Sequence, residues 1–287
     1  MKIDSILKEY NQGVSFEFFP PKTEKGIESL QKTAAVLSAY KPLYVSMTYG
    51  AGGSTQERTK EAVRMFQERA DLVVMPHLTC IGARGARIAA LLDEYKEKGI
   101  KNIMALRGDA PQLDVAFDSS IQEFRYGRDL VEFIKQRYSG FCVGIAVYPE
   151  GHIETTSLAQ DTDYTRQKVS AGADFAVTQM FFDNSHYYSL LDRMEKAGIN
   201  IPVLPGILPL TDVAKVKQFA SICRTTIPEH IEEKMGRFKE NPDEMAKAGI
   251  DFTIEQCRDL IKNGIKQIHF FTLNKPAVMR RILDAIS

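Results

Sequence analysis

Apolar and polar positions follow two different periodicities along the chain. Short, mostly apolar segments rich in β-branched and aromatic residues are each followed by a longer segment whose apolar positions recur at helical spacing. Several of the short segments are almost continuously apolar, as parallel strands covered on both faces tend to be. The predicted strands are residues 14–19, 43–49, 72–80, 101–108, 141–148, 174–182, 201–208 and 267–273.

Eight predicted strands alternating with helices favour a (β/α)8 TIM barrel, with a doubly wound sheet as the second choice. The segment 225–263 is longer than one crossover needs, so we expect extra helices there, before the last strand. No linker, internal repeat or low-complexity segment interrupts the pattern. We therefore expect residues 1–287 to form a single domain.

Composition narrows the class of protein. The 287 residues include 37 Lys+Arg and 37 Asp+Glu, so a formal net charge of zero argues against nucleic acid or an anionic membrane as the main partner. No apolar run approaches the length of a membrane span, and the N-terminal residues lack the core of a signal peptide. Widely spaced cysteines without a CxxC pair indicate reduced, buried thiols in a cytoplasmic protein. They are Cys80, Cys142, Cys223 and Cys257.

Polar residues stand at the C-terminal end of nearly every predicted strand, where barrel enzymes collect their catalytic groups. One such residue would mean little, but polar residues at the ends of nearly all strands indicate a functional site, provided that the fold is a barrel. These residues are Glu17, Thr48, Tyr49, His77, Thr79, Arg107, Gly108, Asp109, Tyr148, Glu150, His152, Gln179, Thr272 and Asn274.

Glu17 is the most unusual of them because it stands inside the apolar segment VSFEFF. Strand alternation places Ser15, Glu17 and Phe19 on one face and the other aromatic residues on the opposite face. Apolar surroundings disfavour the charged form of a carboxyl group, which suits a general acid working near neutral pH. A structural carboxylate paired with a lysine or arginine is an equally good interpretation.

Two shorter motifs are less specific. GAGGST, residues 50–55, is a partial match to a dinucleotide-binding fingerprint, and a flexible loop explains it better. RGD, residues 107–109, suits close approach to a polar ligand, and an internal ion pair between Arg107 and Asp109 is the alternative.

A predicted helix carries Asp161, Tyr164 and Lys168 on one face. An acid, an aromatic ring and a base in this arrangement could grip the hydroxyls, ring and phosphates of a nucleotide, although a solvated helix face is the commoner explanation. No cluster has metal-ligand spacing, so we predict no metal site. Histidines without a motif are interpreted as structural or surface residues: His186, His230 and His269.

Seven stretches, in this order, resemble methylenetetrahydrofolate reductases of the bacterial, catalytic-domain-only type. They are VSFEFFPPKT, YVSMTYGAGGSTQERT, PHLTCIG, NIMALRGD, AVYPEGH, GADFAVTQMFFD and PGILPL. The resemblance covers roughly residues 14 to 280. It implies a barrel that holds FAD and reduces 5,10-methylenetetrahydrofolate to 5-methyltetrahydrofolate, within one-carbon metabolism and methionine supply.

The resemblance also implies ping-pong hydride transfer. NADH or NADPH gives hydride to the flavin and leaves, and the folate then takes the hydride on the same face. We expect a homo-oligomer, because members of this family often form one.

Residue roles are carried over position by position. Glu17 stands at the position of the general acid that helps open the five-membered ring of the folate. Asp109 matches a carboxylate near the flavin and the pterin, Gln179 a residue that contacts folate and nicotinamide, and Phe219 an aromatic that packs on the substrates. Positions implied to contact the flavin are Thr48, Tyr49, Ala51, His77, Arg107, Gly108, Asp109, Gly127, Tyr148, His152, Asp161, Tyr164, Gln167 and Lys168.

Three positions depart from the family pattern. Tyr164 stands where Asn is expected and Gln167 where Arg is expected, so one phosphate contact is missing. Lys275 replaces an Arg expected at the glutamate end of the folate. Two other functions stay open: a flavin-free barrel enzyme that binds a pterin or a phosphorylated substrate, and a flavin- or folate-binding subunit that does not turn over or depends on a partner.

Overall fold

The computed structural model describes residues 1–21, 23–49, 53–69, 71–108, 123–238 and 240–287, without the side chains of residues 53–56 and 213. Within these ranges nine parallel strands form one sheet in the order β7-β6-β5-β4-β3-β2-β1-β9-β8. The strands are β1 (Gly13–Phe18), β2 (Val45–Met47), β3 (Val74–Thr79), β4 (Asn102–Leu106), β5 (Cys142–Val147), β6 (Phe175–Thr178), β7 (Val203–Leu204), β8 (Gly206–Ile207) and β9 (Gln267–Phe271).

Helices follow the strands as the amphipathic pattern predicts. They are α1 (Ile3–Glu9), α2 (Glu24–Ser38), α3 (Gly53–Gln67), α4 (Gly85–Glu97), α5 (Gly127–Arg137), α6 (Leu158–Ser170), α7 (Asn184–Lys196), α8 (Val213–Cys223), α9 (Glu229–Gly236), α10 (Pro242–Lys262) and α11 (Pro276–Ile286). Helices α9 and α10 are the extra helices expected before the last strand. No helix in the described ranges is long and apolar enough to cross a membrane.

The barrel closes through the segment around Pro205. The predicted strand 201–208 is divided there into β7, which pairs with β6, and β8, which pairs with β9. Proline has no N–H to give to a strand ladder, but the Pro205 carbonyl still accepts a hydrogen bond from His269 N at 3.0 Å. Since β1 pairs with both β2 and β9, the sheet has the closure of a (β/α)8 barrel, and a doubly wound sheet is excluded.

Strand β1 separates the core from the barrel interior. Phe16 and Phe18 are almost fully buried among the side chains of the surrounding helices, and the Phe18 and Phe66 rings lie 5.0 Å apart. Alternation therefore turns Ser15 and Glu17 the other way, into the barrel, as the sequence predicts.

Helix α1 closes the N-terminal end of the barrel, and the sequence pattern did not predict it. Ile3, Ile6 and Leu7 are buried in an apolar cluster with Tyr44 and Met75, among others. The ends of α1 are fixed by long-range hydrogen bonds as well as by packing. The N–H groups of residues 3 and 4 donate to Asn102 Oδ1 at 2.8 Å and to Cys142 Sγ at 3.4 Å, and Gln267 Nε2 donates to the carbonyl of residue 7 at 3.0 Å.

Candidate active site at the C-terminal mouth of the barrel

Glu17 lies between two buried histidines. Its Oε2 atom is 3.4 Å from His77 Nε2, on β3, and 3.8 Å from His269 Nε2, on β9. All three side chains are at least nine-tenths buried. Neither histidine Nε2 atom has a hydrogen-bond partner among the described residues. Two unsatisfied imidazole nitrogens therefore face one oxygen of a carboxyl group.

The far side of His269 is held in place. Its Nδ1 atom lies 2.8 Å from Ser15 Oγ, and its ring stacks on Tyr44 with centroids 5.6 Å apart. Ser15 and His269 are paired in register across β1 and β9, so both face the interior. Either tautomer of His269 is compatible with this contact, because a hydroxyl group can donate or accept. Depending on its tautomer, His269 Nε2 can thus offer a lone pair to a protonated Glu17 or an N–H group to the Glu17 carboxylate.

Burial keeps His77 neutral. Removal from water lowers the pKa of His77 below its ordinary value, the Glu17 carboxylate acts in the opposite direction, and His269 lowers it further. A neutral imidazole can accept or donate a hydrogen bond at Nε2, according to its tautomer, so it can face either a protonated or an ionised carboxyl group without carrying a charge itself. This property suits a site in which Glu17 loses and regains a proton.

The expected apolar surroundings of Glu17 are wrong in detail. The aromatic residues that flank it in sequence, Phe16 and Phe18, point outward, and the groups at its carboxyl end are two imidazoles. Ser46 is paired with Glu17 in register across β1 and β2. Among the described residues, Glu17 forms no ion pair with a Lys or Arg. His269, interpreted from the sequence as structural or surface, is fully buried beside it. The period of two along QIHFF, together with pairing to β1, was the signal that could have identified it.

At the end of β4, Arg107 pairs with Glu154. Arg107 Nη1 and Nη2 donate to Glu154 Oε2 and Oε1 at 2.5 and 2.6 Å, and Nε donates to Gly108 O at 3.4 Å. The Arg107 guanidinium lowers the pKa of Glu154. Gly108 has a φ of +88°, and a Cβ there would lie 3.0 Å from Thr79 and Ile81 side-chain atoms, so glycine is required. Sequence reasoning missed Glu154, which follows His152 by two residues.

Lys168, in the last turn of α6, reaches back to β5. Its Nζ atom donates to Ala146 O at 2.7 Å and sits 5.7 Å from the centroid of the Tyr148 ring. Burial lowers the pKa of Lys168 to about 8, and the nearby Asp161 carboxylate acts in the opposite direction. This cation is therefore part of the wall of the site and not of a solvated helix face.

Asp161 and His152 join the same loop to α6. Asp161 Oδ1 accepts from His152 N at 3.0 Å, and burial raises the pKa of Asp161. His152 Nδ1 accepts from the N–H of residue 154 at 3.1 Å, so Nε2 carries the proton in the neutral ring. Of the three residues expected on one helix face, Asp161 and Lys168 bond to main chain, and Tyr164 is the exposed one.

The α5–α6 seam, as we call the surface of Tyr126, Arg128, Tyr164 and Gln167, borders this loop. The Tyr126 and Tyr164 rings are nearly parallel, 24° apart, with centroids 6.4 Å apart. Arg128 Nη1 donates to Gln167 Oε1 at 3.2 Å. Gly127 begins α5 between the first two of these residues.

The residues expected to meet a folate or nicotinamide lie around the mouth on separate elements. Gln179, after β6, donates its N–H to Val147 O at 2.8 Å, and its Oε1 accepts from Met180 N at 2.9 Å. Phe219 on α8 is 44% exposed. Lys275, before α11, donates to Thr211 Oγ1 at 3.2 Å.

Other predicted positions are less informative. Thr48 follows β2 and donates its N–H to Phe18 O at 3.0 Å. Tyr49 is half-buried, and burial raises its pKa. Ala51 and Asp109 lie outside the described residues, as do the start of the GAGGST motif and the possible Arg107–Asp109 pair. Within the described ranges, no group of three or more His, Cys, Asp or Glu side chains is arranged to hold a metal ion.

Comparison with known proteins places the chain in a family. The sequence profile of the methylenetetrahydrofolate reductase family matches residues 2–287. The 5,10-methylenetetrahydrofolate reductase of Pectobacterium carotovorum subsp. carotovorum is 36% identical over 262 residues, which cover 91% of this chain and 86% of that relative. Methylenetetrahydrofolate reductase 1 of Schizosaccharomyces pombe is 35% identical over 274 residues, 95% of this chain and 45% of that relative. The chain thus spans about half the length of this second relative.

A solved structure supports the fold. A protein from Clostridium thermocellum, described as binding two copies of 5-methyl-5,6,7,8-tetrahydrofolic acid, matches with a TM-score of 0.66 over 100% of this chain and 98% of that chain, at 13% identity. At this identity the likeness concerns the fold alone. The profile match over nearly the whole chain and the bacterial relative at 36% identity show that this chain belongs to the methylenetetrahydrofolate reductase family.

Proposed function

We propose that this protein reduces 5,10-methylenetetrahydrofolate to 5-methyltetrahydrofolate with electrons from NADH or NADPH, passed through bound FAD. Family membership supports the substrate, and one observation in this chain carries the chemistry. The buried carboxyl group of Glu17 lies 3.4 Å from the neutral imidazole of His77 at the end of β1, where a barrel enzyme binds its substrate.

Two features of the mouth fit a flavin dinucleotide. His77 Nε2 is a buried polar atom without a hydrogen-bond partner among the described residues, so a polar ring atom could satisfy it. Gly127 brings the start of α5 close to β4 and α6, since a Cβ there would lie 3.6 Å from the main-chain nitrogen of Arg107 and 4.0 Å from Lys168 Cδ. Arg107, Gly127, Tyr148, His152 and Lys168 would hold the group. When bound, FAD would accept hydride from the nicotinamide and release it to the folate.

The residues of the chain would supply the proton and the orientation. Glu17 would hold a proton at Oε2 and give it to the ring nitrogen of the folate that must leave, so that the five-membered ring opens to the iminium that accepts hydride. His77 and His269 would stabilise the carboxylate that remains. Gln179 Oε1 is engaged by Met180 N, so its amide nitrogen is the end that would donate to the substrate.

An anaerobic visible spectrum tests the whole proposal in one cuvette. The purified protein should show a flavin band that bleaches when NADH or NADPH is added and returns when methylenetetrahydrofolate follows. A yellow protein that neither nicotinamide bleaches would favour the partner-dependent subunit. A protein that stays colourless after added FAD would favour the flavin-free barrel enzyme. Either of these two results would overturn the proposed reduction.

A further inference from the structure

We propose that Glu150 is a positioning residue for the folate: its carboxylate fixes the C-terminal end of α8, and with it the place of Phe219 beside the substrate. The inference rests on the proposed folate reduction and deepens it. Glu150 acts through the main chain of the α8–α9 junction, residues 224–226.

Helix α8 lies at the mouth of the barrel. Its Val216 and Ala220 side chains are buried. They belong to an apolar cluster that includes Met180, just after β6, and Leu208, just after β8. Phe219 is the exposed aromatic residue of this helix. Its ring keeps an apolar surface that the aromatic rings of a folate can cover.

Apolar packing alone holds α8 weakly. Among the α8 side chains that the structure describes, Val216 and Ala220 are the buried ones, and both are small. Two small side chains remove little apolar area from water, so the helix can shift on the barrel at little cost. The position of Phe219 therefore depends on the polar contacts at the ends of α8.

Glu150 holds the junction through a main-chain group. The N–H of Thr226 donates to both oxygens of the Glu150 carboxylate, each at 3.0 Å. His186 Nε2 lies 3.8 Å from Oε2, and only 12% of the Glu150 side chain is exposed. Removal of a carboxylate from water is costly unless hydrogen bonds compensate, and a bond from an N–H to a charged oxygen is stronger than one to a neutral oxygen. A nearly buried carboxylate aimed at one backbone N–H indicates that this bond fixes the segment.

The two residues before Thr226 fasten the junction at further points. Arg224 ends α8 in the left-handed region, with a φ of +55°, and its Nη1 donates to Thr155 O at 2.9 Å. Thr225 Oγ1 donates to Met180 O at 3.1 Å. A residue other than glycine keeps a left-handed backbone where its surroundings hold it there. Bonds from three consecutive residues therefore set the point at which α8 ends.

The groups that anchor the junction belong to the site itself. Glu150 and Thr155 lie in the β5–α6 loop, which forms one wall of the mouth. Met180 follows Gln179 and donates its N–H to the Gln179 amide oxygen at 2.9 Å. The end of α8 is thus fixed relative to residues that would meet the folate.

Folate affinity of the reduced, FAD-loaded protein tests this inference. Once the flavin is reduced, 5-methyltetrahydrofolate cannot give hydride to it, so a dissociation constant can be measured by anaerobic calorimetry. Glu150→Ala should weaken this binding at least about tenfold, because the junction loses its charged anchor. Glu150→Gln keeps an oxygen that accepts from Thr226 N and should stay within about threefold of wild type.

A double-variant cycle shows whether Glu150 acts through Phe219. Phe219→Ala should also weaken folate binding at least about tenfold. The double variant should bind no more than about twofold more weakly than the weaker single variant, since the second change removes a contact that the first has already lost. Independent effects would multiply to about a hundredfold or more.

Glu232→Ala is the matched control. Glu232 Oε2 accepts from Lys217 Nζ at 2.8 Å, so this pair also joins α8 to α9, but 36% and 49% of the two side chains are exposed. Screening weakens such a pair, and the variant should change folate affinity less than about twofold. Circular dichroism melts check that each variant is folded. If Glu150→Ala does not fold, Arg224→Met removes the neighbouring bond to Thr155 O and takes its place in the cycle.

A separate measurement distinguishes displacement of α8 from collapse of the β5–α6 loop. The dissociation constant of FAD, from quenching of flavin fluorescence, should stay within about twofold in Glu150→Ala. An equal loss of FAD and folate affinity would mean that the loop itself had collapsed, and would overturn the inference.

The remaining outcomes are also distinct. Multiplying effects in the double variant, or unchanged folate affinity in either single variant, would overturn the inference and leave the proposed function intact. A reduced wild-type protein that does not bind 5-methyltetrahydrofolate would overturn the proposed function, and the inference with it.

Discussion

Both terminal nitrogens of Arg107 are bonded to the carboxylate of Glu154, at 2.5 and 2.6 Å. This fork-to-fork pair connects the end of β4 with the β5–α6 loop and fixes the plane of the guanidinium. An anionic ligand that binds at this mouth must lie beside the pair or separate it. Glu154 thereby controls how much positive charge the mouth presents.

Glu154→Gln should tighten FAD binding about threefold at low ionic strength. The substitution keeps a hydrogen-bond acceptor for Arg107 but removes a negative charge from the mouth at which we propose that the dinucleotide binds. Since 54% of the Glu154 side chain is exposed, screening limits the effect. Fluorescence titration at two salt concentrations measures it, and the gain should shrink at high salt. Glu132→Gln, on α5, is the control. Unchanged or salt-independent affinity would contradict the prediction.

Glu17→Gln should separate the two half-reactions. An amide is isosteric with the carboxyl group but cannot serve as the acid, so oxidation of the reduced enzyme by methylenetetrahydrofolate should slow at least about a hundredfold. Flavin reduction by NADH or NADPH should stay within about threefold. Anaerobic stopped-flow spectroscopy follows each step separately. If both steps slowed equally, Glu17 would have a structural role and not the role of proton donor.

Gly249→Ala should destabilise the fold, although alanine is the better helix former. Gly249 lies within α10, and a Cβ there would be 1.5 Å from Leu210 O, a main-chain atom that cannot turn aside. We expect a loss of about 3 kcal/mol or more in the free energy of unfolding, against a gain of about 1 kcal/mol from helix propensity. Chemical denaturation measures the difference.

The matched control is Gly236→Ala, at the end of α9. Beyond its chain neighbours and the backbone of its own helix, no atom of the described residues lies within 4 Å of the position that its Cβ would take, so stability should change by less than about 1 kcal/mol. Equal stability of the two variants would show that α10 does not pack against Leu210 as closely as described.

Lys168 should make the stability of the flavin-free protein rise with pH above 8. Burial lowers its pKa from 10.5 to about 8 in the folded protein. Between these values the unfolded chain binds more protons than the folded chain, so the free energy of unfolding increases as pH rises through this window. Below pH 8 Lys168 is protonated in both the folded and the unfolded state, so its contribution to the free energy of unfolding is constant.

Comparison with Lys168→Met isolates the contribution of Lys168 to the pH dependence of stability. Urea unfolding at pH 7.5 and 9.5 should show wild type gaining up to about 2 kcal/mol relative to the variant. Lys196→Met removes a lysine that is 74% exposed, and its difference from wild type should not depend on pH. Parallel pH profiles for wild type and Lys168→Met would mean that Lys168 keeps an ordinary pKa.

The sequence predicted what local periodicity encodes. All eight strand segments, the extra helices within 225–263 and the inward direction of Glu17 were recovered, because apolar alternation and helical spacing are properties of neighbouring residues. The division at Pro205 was missed, although proline in a strand is a warning. Helix α1 was missed because seven residues show too few turns for a clear period.

The candidate site depended on pairing between distant segments, which periodicity does not encode. His269 meets Glu17 only because β9 pairs with β1, although the two residues lie 252 positions apart in the sequence. Glu154 meets Arg107 across 47 residues. The strand-end pattern identified Glu17 and Gln179, and family resemblance supplied their roles and added Phe219, but the partners of these residues came from the fold.

Helix α1 also bears on the order of events during folding. Its partners Asn102, Cys142 and Gln267 lie 99, 138 and 260 residues from the groups that they bind. Contacts of such long sequence separation form slowly, because loop closure precedes any stabilisation. The segment is synthesised before every strand of the barrel, yet its bond to Gln267 requires β9, the last of them. The complete set of α1 contacts therefore forms only after nearly the whole chain has been synthesised.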